Sequence, residues 1–312
     1  MPDSDHGLLL LDKPKGFTSR RCVDVVSRIV GVRRAGHAGS LDPMATGVLP
    51  VLFGKATRLS EYLMRTDKEY LFTVTLGSRT DTGDAEGKII QETPVPQLAV
   101  ETIRECLAAF LGQMKQIPPA YSAKKVHGRR AYAIAREGGT PRLSPVKVWV
   151  YQFSLLDFQS PHLFLRVVCS HGTYIRTLCE DLGAKFGCVA HVTQLRRSRV
   201  GPFSEESCVS LEDLSESENP FHFTRSMSEI ISFMPSITVG EKEILALNQG
   251  KTVAMDKTHE MSAEKLGIGE MKDAEKARIR VVDRKGKLVA VCRLTGVLLN
   301  ELKPDKVFTF SE

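Results

Sequence analysis

Asp42 is the carboxylate whose setting most suggests chemistry. It lies in GHAGSLDPMATGVLP, residues 36 to 50, among small, turn-forming and apolar residues. Pro43 restricts the Asp42 backbone to an extended or turn conformation, and Gly36, Gly39 and Gly47 allow angles that other residues avoid. Two readings are open. Asp-Pro is common turn punctuation, and a turn feeding the apolar run Val48 to Phe53 needs no chemistry. Alternatively, the loop presents one rigid carboxylate, flanked by His37, to a reacting group. Three other stretches carry candidate partners. TDTGDAEG, residues 80 to 87, has acids at 81, 84 and 86 but not the alternate spacing and distal Glu of an EF-hand. IPPAYSAKKVHGRRAY, residues 117 to 132, mixes prolines, Tyr121 and basic side chains including Lys124, as a loop tracking an RNA backbone would. CSHGTYIRTLCEDLG places Arg176 one turn into a helix, where an arginine also serves as a surface residue or a structural ion pair. GxGxxG, Walker, HExxH and GxSxG motifs do not occur, which argues against dinucleotide, NTP, zinc-protease and α/β-hydrolase chemistry.

The elements that position these residues follow from hydrophobic spacing. GLLLLDK reads as a buried strand, and Thr18 or Ser19 can cap a helix through about Ile29 with Val23 and Val26 on one face. VLPVLFG is strand-like, ATRLSEYL a short helix, and KEYLFTVTLG alternates as a strand with Tyr70, Phe72, Val74 and Leu76 on one side. VETIRECLAAFLG is helical. VKVWVYQFSLLDF and HLFLRVVCS are long strands joined at Gln159-Ser160-Pro161, followed by the helix GTYIRTLCEDLGAKFG and the strand AHVTQLRRSRVG. Strands outnumber crossover helices, giving an α+β fold with a mixed, largely antiparallel sheet flanked by helices. The acidic, Ser-rich segment 204 to 220 marks the end of this body. From about Ile237 the helix EKEILALNQG, the strands ARIRVVD and KLVAVCRL and a closing KVFTF suffice for a small β-barrel-like domain. Residues 255 to 275 read as a loop insertion. The domains are thus 1–235 and 236–312.

A chain of 312 residues with 42% hydrophobic and 26% charged residues fits a globular protein of two domains. No run of about 18 apolar residues exists, so no membrane span or membrane partner is expected. Seven scattered cysteines without CxxC, and histidines without ligand spacing, suggest reduced thiols in a cytoplasm and no metal site. Net charge is +6, gathered at Arg33 and Arg34, at Lys124, Lys125, Arg129 and Arg130, and at Arg196, Arg197 and Arg199. These clusters read either as solvated faces or as phosphate contacts.

Taken in order, LDKPKGFTS, GHAGSLDPMATGVL, KEYLFTVTLGSRTDTGDAEG, PPAYSAKKVHGRRAY, CSHGTYIRTLCEDLG and HVTQLRRSRVG closely resemble the motifs of the TruB family of pseudouridine synthases. The likeness covers residues 8 to about 203, with a PUA-like RNA-binding tail from about 237. Ala45-Thr46-Gly47 and Ser170-His171 resemble the stand-alone bacterial branch more than the dyskerin-like, guide-RNA branch; Ser40 stands where the family more often has Thr. The resemblance implies isomerisation of the T-loop uridine of tRNA (position 55 by tRNA convention), with the T-arm stem-loop as partner, no cofactor, no obligate protein partner and a monomeric state. It implies Asp42 as nucleophile, Tyr70 stacking on the uracil or taking the C5 proton, and Arg176 pairing with Asp42. It also implies Leu195 lining the pocket, His37 filling the space left by a flipped nucleotide, and Lys13 and Lys124 binding substrate. A non-catalytic RNA-binding protein, a tRNA-folding chaperone and an enzyme for another RNA are the competing readings.

Overall fold

The computed structural model describes residues 5–122, 124–126, 128–255, 278–295 and 300–309. The leucines of GLLLLDK form the strand Gly7–Lys13, buried on both faces: Leu9 and Leu11 beside the helix Ser19–Val30, Leu8 and Leu10 in the opposite layer. A strand covered on both sides reads as an unbroken apolar run, which is why no alternation shows there. In the helix, Cys22, Val23, Val26 and Val30 turn inward. Thr18 caps its start by accepting from the Arg21 amide.

The main sheet has ten strands. Its path runs Thr224–Arg225, Gly7–Lys13, Thr46–Phe53, Ala190–Val200, Lys68–Leu76, His162–Cys169, Val146–Gln159, Gly112–Gln116, with Ala35–His37 and Phe203–Ser204 attached at its flanks. Pairing is antiparallel throughout except at one join, where Arg196 and Arg197 lie parallel to Thr46 and Gly47. The expected mixed, largely antiparallel sheet is what forms. Phe72, Val74 and Leu76 are buried with Leu165 and Leu195 beneath the helices Val100–Ala108 and Ile175–Lys185, and Tyr70 packs partly buried against this core. The short helix expected at ATRLSEYL splits into the 3₁₀ turn Gly54–Leu59 and the α-helix Ser60–Met64.

The acidic segment does not end this body. The Val209 amide donates to Leu10 O at 2.9 Å and the Asp12 amide to Val209 O at 2.9 Å, stitching the segment to the first strand. The helix Leu211–Glu216 then turns Leu214 into the core, fully buried, while its carboxylates stay in water. Composition reported only the wet face. Further on, Thr224–Arg225 extends the sheet, and Met227, Ile230, Ile231 and Met234 join the cluster around Leu8 and Leu10.

The tail forms a second sheet in the order Ser236–Thr238, Arg278–Val282, Leu288–Thr295, Glu301–Val307, Val253–Ala254, with its own core of Ile237, Leu247, Ile279, Val281, Cys292 and Leu302. Its curled shape agrees with the expected small β-barrel-like, PUA-type unit. The closing strand starts earlier than KVFTF because Leu302 is the fully buried residue opposite Leu294, with Pro304 taken up at a register shift beside Cys292. Residues 256–277, nearly all of the expected insertion, lie outside the described residues. The tail packs directly on the body: Leu288, Val291 and Phe308 belong to the cluster of Leu8, Val48 and Leu59. Arg58 donates to Val307 O at 2.7 Å and lies 4.8 Å from the Phe308 ring centroid, and Lys306 pairs with Glu61.

Because Leu214 is core, Leu214→Ala should destabilise the chain by about 2–5 kcal/mol, the usual cost of a buried leucine cavity. Urea unfolding of the full chain measures this; a change within experimental error would show that the segment is a peripheral linker.

Candidate active site

Three buried side chains pin the Asp42 loop from below. Lys13, at the end of the first strand, donates through Nζ to Pro14 O at 2.9 Å, Pro43 O at 3.1 Å and Ala45 O at 2.6 Å. Ser19, in the first turn of its helix, accepts from the Leu41 amide at 2.8 Å and donates to Leu41 O at 3.1 Å. Arg197 donates to Val48 O at 2.9 Å, Ser40 O at 3.3 Å and Gly39 O at 3.1 Å. The loop therefore turns its carbonyls inward. Gly47 is required at the join: its φ is +98°, and a Cβ there would sit 2.3 Å from the Arg197 carbonyl oxygen.

With the carbonyls committed below, the Asp42 carboxylate projects from the loop, partly exposed, and meets Arg176. Arg176 Nε is 3.0 Å from one carboxylate oxygen, and Nη2 donates to the other at 3.1 Å, a bidentate fork. The Arg176 side chain is only 6% exposed and that of Asp42 36%, so the acid is the accessible member of the pair. Arg176 is itself held by Thr82 O at 3.0 Å and Tyr121 O at 2.8 Å. A second carboxylate, Asp84, approaches Arg176 at 3.6 Å and is buried, its other oxygen accepting from Thr82 Oγ at 2.6 Å and the Glu86 amide at 3.1 Å. TDTGDAEG thus supplies an electrostatic partner to the pair.

The remaining expected residues fall unevenly. Tyr70 pairs across strands with Arg197, and Leu195 with Phe72, on the helix-covered face. His37 ends the short strand Ala35–His37; its Nδ1 is buried and makes no hydrogen bond among the described residues. Lys124 is exposed and precedes the small hairpin Lys125–Val126 and Arg129–Arg130. Lys13, expected at the substrate, is fully buried beneath the loop. The third basic cluster is largely spent internally. Arg196 pairs with Asp12 and Glu205, Arg199 pairs with Asp67, and Arg197 is in the core. Sequence reasoning missed Ser19, Asp84 and the structural task of Arg197. For Asp84, its place among turn residues was the available signal.

Burial pushes the Asp42 carboxyl above its ordinary value; Arg176 and Lys13 oppose that shift, and the Asp84 charge reinforces it. Burial also raises the Tyr70 phenol, keeping it neutral, while Arg197 pulls the other way. His37 is pushed down by burial and by the charges of Arg197, Arg20 and Arg130, so its ring is neutral near pH 7. Among the described residues, no group of His, Cys, Asp and Glu is placed to hold a metal ion.

A largely antiparallel central sheet that presents a partly exposed aspartate paired with a buried arginine fits the class of protein that the motif resemblance implied. Among solved structures, a chain of a Cbf5-Nop10-Gar1 complex matches with a TM-score of 0.77 at 26% identity, covering 98% of this chain and 86% of that one. The family model described as TruB family pseudouridylate synthase (N terminal domain) matches residues 27–175, and that of the tRNA pseudouridylate synthase B C-terminal domain matches 176–227. A tRNA pseudouridine synthase B of Chromohalobacter salexigens is 44% identical over 253 residues, 80% of this chain and 82% of its own. One of Coxiella burnetii is 37% identical over 294 residues, 89% of this chain and 95% of its own. The chain belongs to the TruB family of pseudouridylate synthases, an isomerase family.

A raised carboxyl pKa means that folding favours protonated Asp42. This group therefore stabilises the fold in acid and costs it stability as pH rises through the raised value. Activity would run the other way if Asp42 is the nucleophile that the resemblance implies, because a carboxylate attacks only when ionised. The acid limb of the single-turnover rate should therefore lie above the ordinary carboxylate range. Asp84→Asn, by removing a neighbouring negative charge, should move that limb to lower pH. A limb that stays in place or moves up in Asp84→Asn would show that Asp84 does not act on Asp42 through its charge.

Proposed function

We propose that the chain converts the T-loop uridine of tRNA, position 55 by convention, to pseudouridine, with Asp42 as nucleophile on a flipped-out nucleotide. The observation that carries this reading is the Asp42–Arg176 fork on a loop immobilised from below. The isomerisation breaks the bond from uracil N1 to ribose C1′ and makes one from C5 to C1′. The C5 proton leaves and N1 gains one, so electrons balance without a cofactor. One ionised carboxylate in a near-attack position is the group such chemistry needs.

The other residues divide the remaining tasks. Tyr70, kept neutral by burial, suits stacking on the uracil better than abstracting a proton. Leu195 lines the pocket, and neutral His37 fills the space left by the flipped base, offering an unsatisfied Nδ1 to the RNA. Lys124, exposed beside its hairpin, meets phosphate; Lys13 and Arg197 serve by holding the loop. Residues 1–235 form the catalytic part and 236–312 an RNA-binding, PUA-like part that adds affinity. In that tail, Arg278 and Arg280 are engaged with Asp305 and Ser228, which leaves exposed Arg284 and Lys285 as its phosphate contacts. The chain acts as a cytoplasmic monomer without an obligate protein partner; the described residues include no helix long and apolar enough to cross a membrane.

Asp42→Asn should bind tRNA with unchanged affinity and give no multiple-turnover pseudouridine, since the amide keeps the shape and loses the nucleophile. Mapping pseudouridine on tRNA from cells lacking the protein tests the position: a T-loop uridine still fully modified would sink the assignment. Arg176→Lys should lower the single-turnover rate by about 100-fold while RNA affinity changes little, because a lysine point charge cannot hold both oxygens of Asp42. A fall in affinity without a fall in rate would make Arg176 a phosphate contact.

A further inference from the structure

The sheet face turned away from the helices carries side chains that the reaction does not use. Along Val146–Gln159, Lys147, Trp149 and Tyr151 are exposed, with Val148 and Val150 buried between them. Lys115, on the edge strand Gly112–Gln116, lies directly opposite Lys147 and is also exposed. Neither lysine forms an ion pair among the described residues, and like charges in opposed positions repel each other. Trp149 is 45% and Tyr151 51% exposed, and their rings stack with centroids 6.4 Å apart and planes at 28°. A register shift between Val150 and Gln152 sets Tyr151 and Gln152 both outward, at the lip of a cleft of about 490 Å³. Inside the cleft Arg166 is matched by Glu69 and Arg199 by Asp67, so the cleft's own cations are spent while the two lysines beside it are not.

We propose that this face is a second RNA-contact surface. One or two unpaired bases of a single-stranded segment stack on Trp149 and Tyr151, and the phosphates beside them lie on Lys115 and Lys147. Stacking on aromatic rings combined with a cationic track is how proteins hold single strands without reading their sequence. A repelling lysine pair gains when a polyanion is placed between its members. The surface is continuous with the catalytic part. Trp149 exchanges hydrogen bonds with Ser170 at 2.8 Å, and Gln116 brackets Tyr174, at the entrance of the helix that carries Arg176. The inference rests on the RNA-directed reading only in choosing RNA among polyanions.

Trp149 is the single tryptophan of the chain, so its fluorescence reports this surface alone. Titrating the full-length protein with oligoadenylate of about twelve nucleotides should quench it saturably and less steeply as salt rises. The same quenching in Asp42→Asn separates this surface from the catalytic assignment, whose failure would appear only in turnover. In anisotropy titrations with labelled RNA, Trp149→Ala and Tyr151→Ala should each weaken binding about fivefold or more, the range of one lost base stack, while Trp149→Phe keeps it. The double variant Lys115→Glu, Lys147→Glu, shown to be folded by circular dichroism, should abolish the quenching. No saturable quenching, or quenching that survives the double charge reversal, overturns the proposal. So does concentration-dependent self-association lost in Trp149→Ala, which would assign the face to a second copy of the chain.

Discussion

Two buried cations that bond to carbonyls instead of carboxylates set the geometry on which the site depends. Lys13 is fully buried and Arg197 nearly so, and neither forms an ion pair among the described residues. An uncompensated charge in the interior is costly. Here the backbone oxygens of Pro14, Pro43 and Ala45 surround one, and those of Gly39, Ser40 and Val48 the other. Since either cation loses its solvation if the loop moves, the loop conformation is tied to core stability. The acid that projects from the loop inherits that rigidity. The sheet serves the same constraint, because the two cations come from strands on either side of Thr46–Phe53, one pairing with it antiparallel and the other parallel.

The electrostatic balance above the loop is different in kind. One guanidinium faces two carboxylates, Asp42 at 3.0 Å and Asp84 at 3.6 Å. Asp84 is buried and bonded to its own turn, so it fixes Arg176 from the interior side. Asp42 is left with a firm but shared counter-ion. That state suits the role proposed for Asp42: a carboxylate fully neutralised by its own arginine would be less reactive, and one with no partner would take up a proton.

The main strands and helices and the mixed, largely antiparallel character of the sheet were legible because they follow from where apolar side chains recur; the order of strands in the sheet was not. Motif resemblance singled out Asp42, Arg176 and Tyr70, and the structure brings the first two into contact. What resisted reading was the fate of charge. Lys13 and Arg197 look in sequence like any solvated cations, since burial of a lysine or arginine depends on carbonyls supplied by residues more than thirty or a hundred positions away. Arg196 and Arg199 looked like phosphate contacts because Asp12 and Asp67 are equally remote, and Glu205, nine positions from Arg196, lies across a turn. The acidic segment misled for the converse reason: its charged residues are many, and the few that anchor it, Val209 and Leu214 foremost, are scattered letters among them.

The shared core of tail and body has a geometric consequence. A tethered RNA-binding module raises local concentration and tolerates many spans. Here Phe308, Leu288 and Val291 interlock with the first strand, whose far end carries Lys13 under the reactive loop. The tail's basic turn and Asp42 are therefore joined through one shared core and not through a tether. If the tail binds RNA as proposed, an RNA touching both must present a set span between the two points, and the pair would gauge length as well as shape.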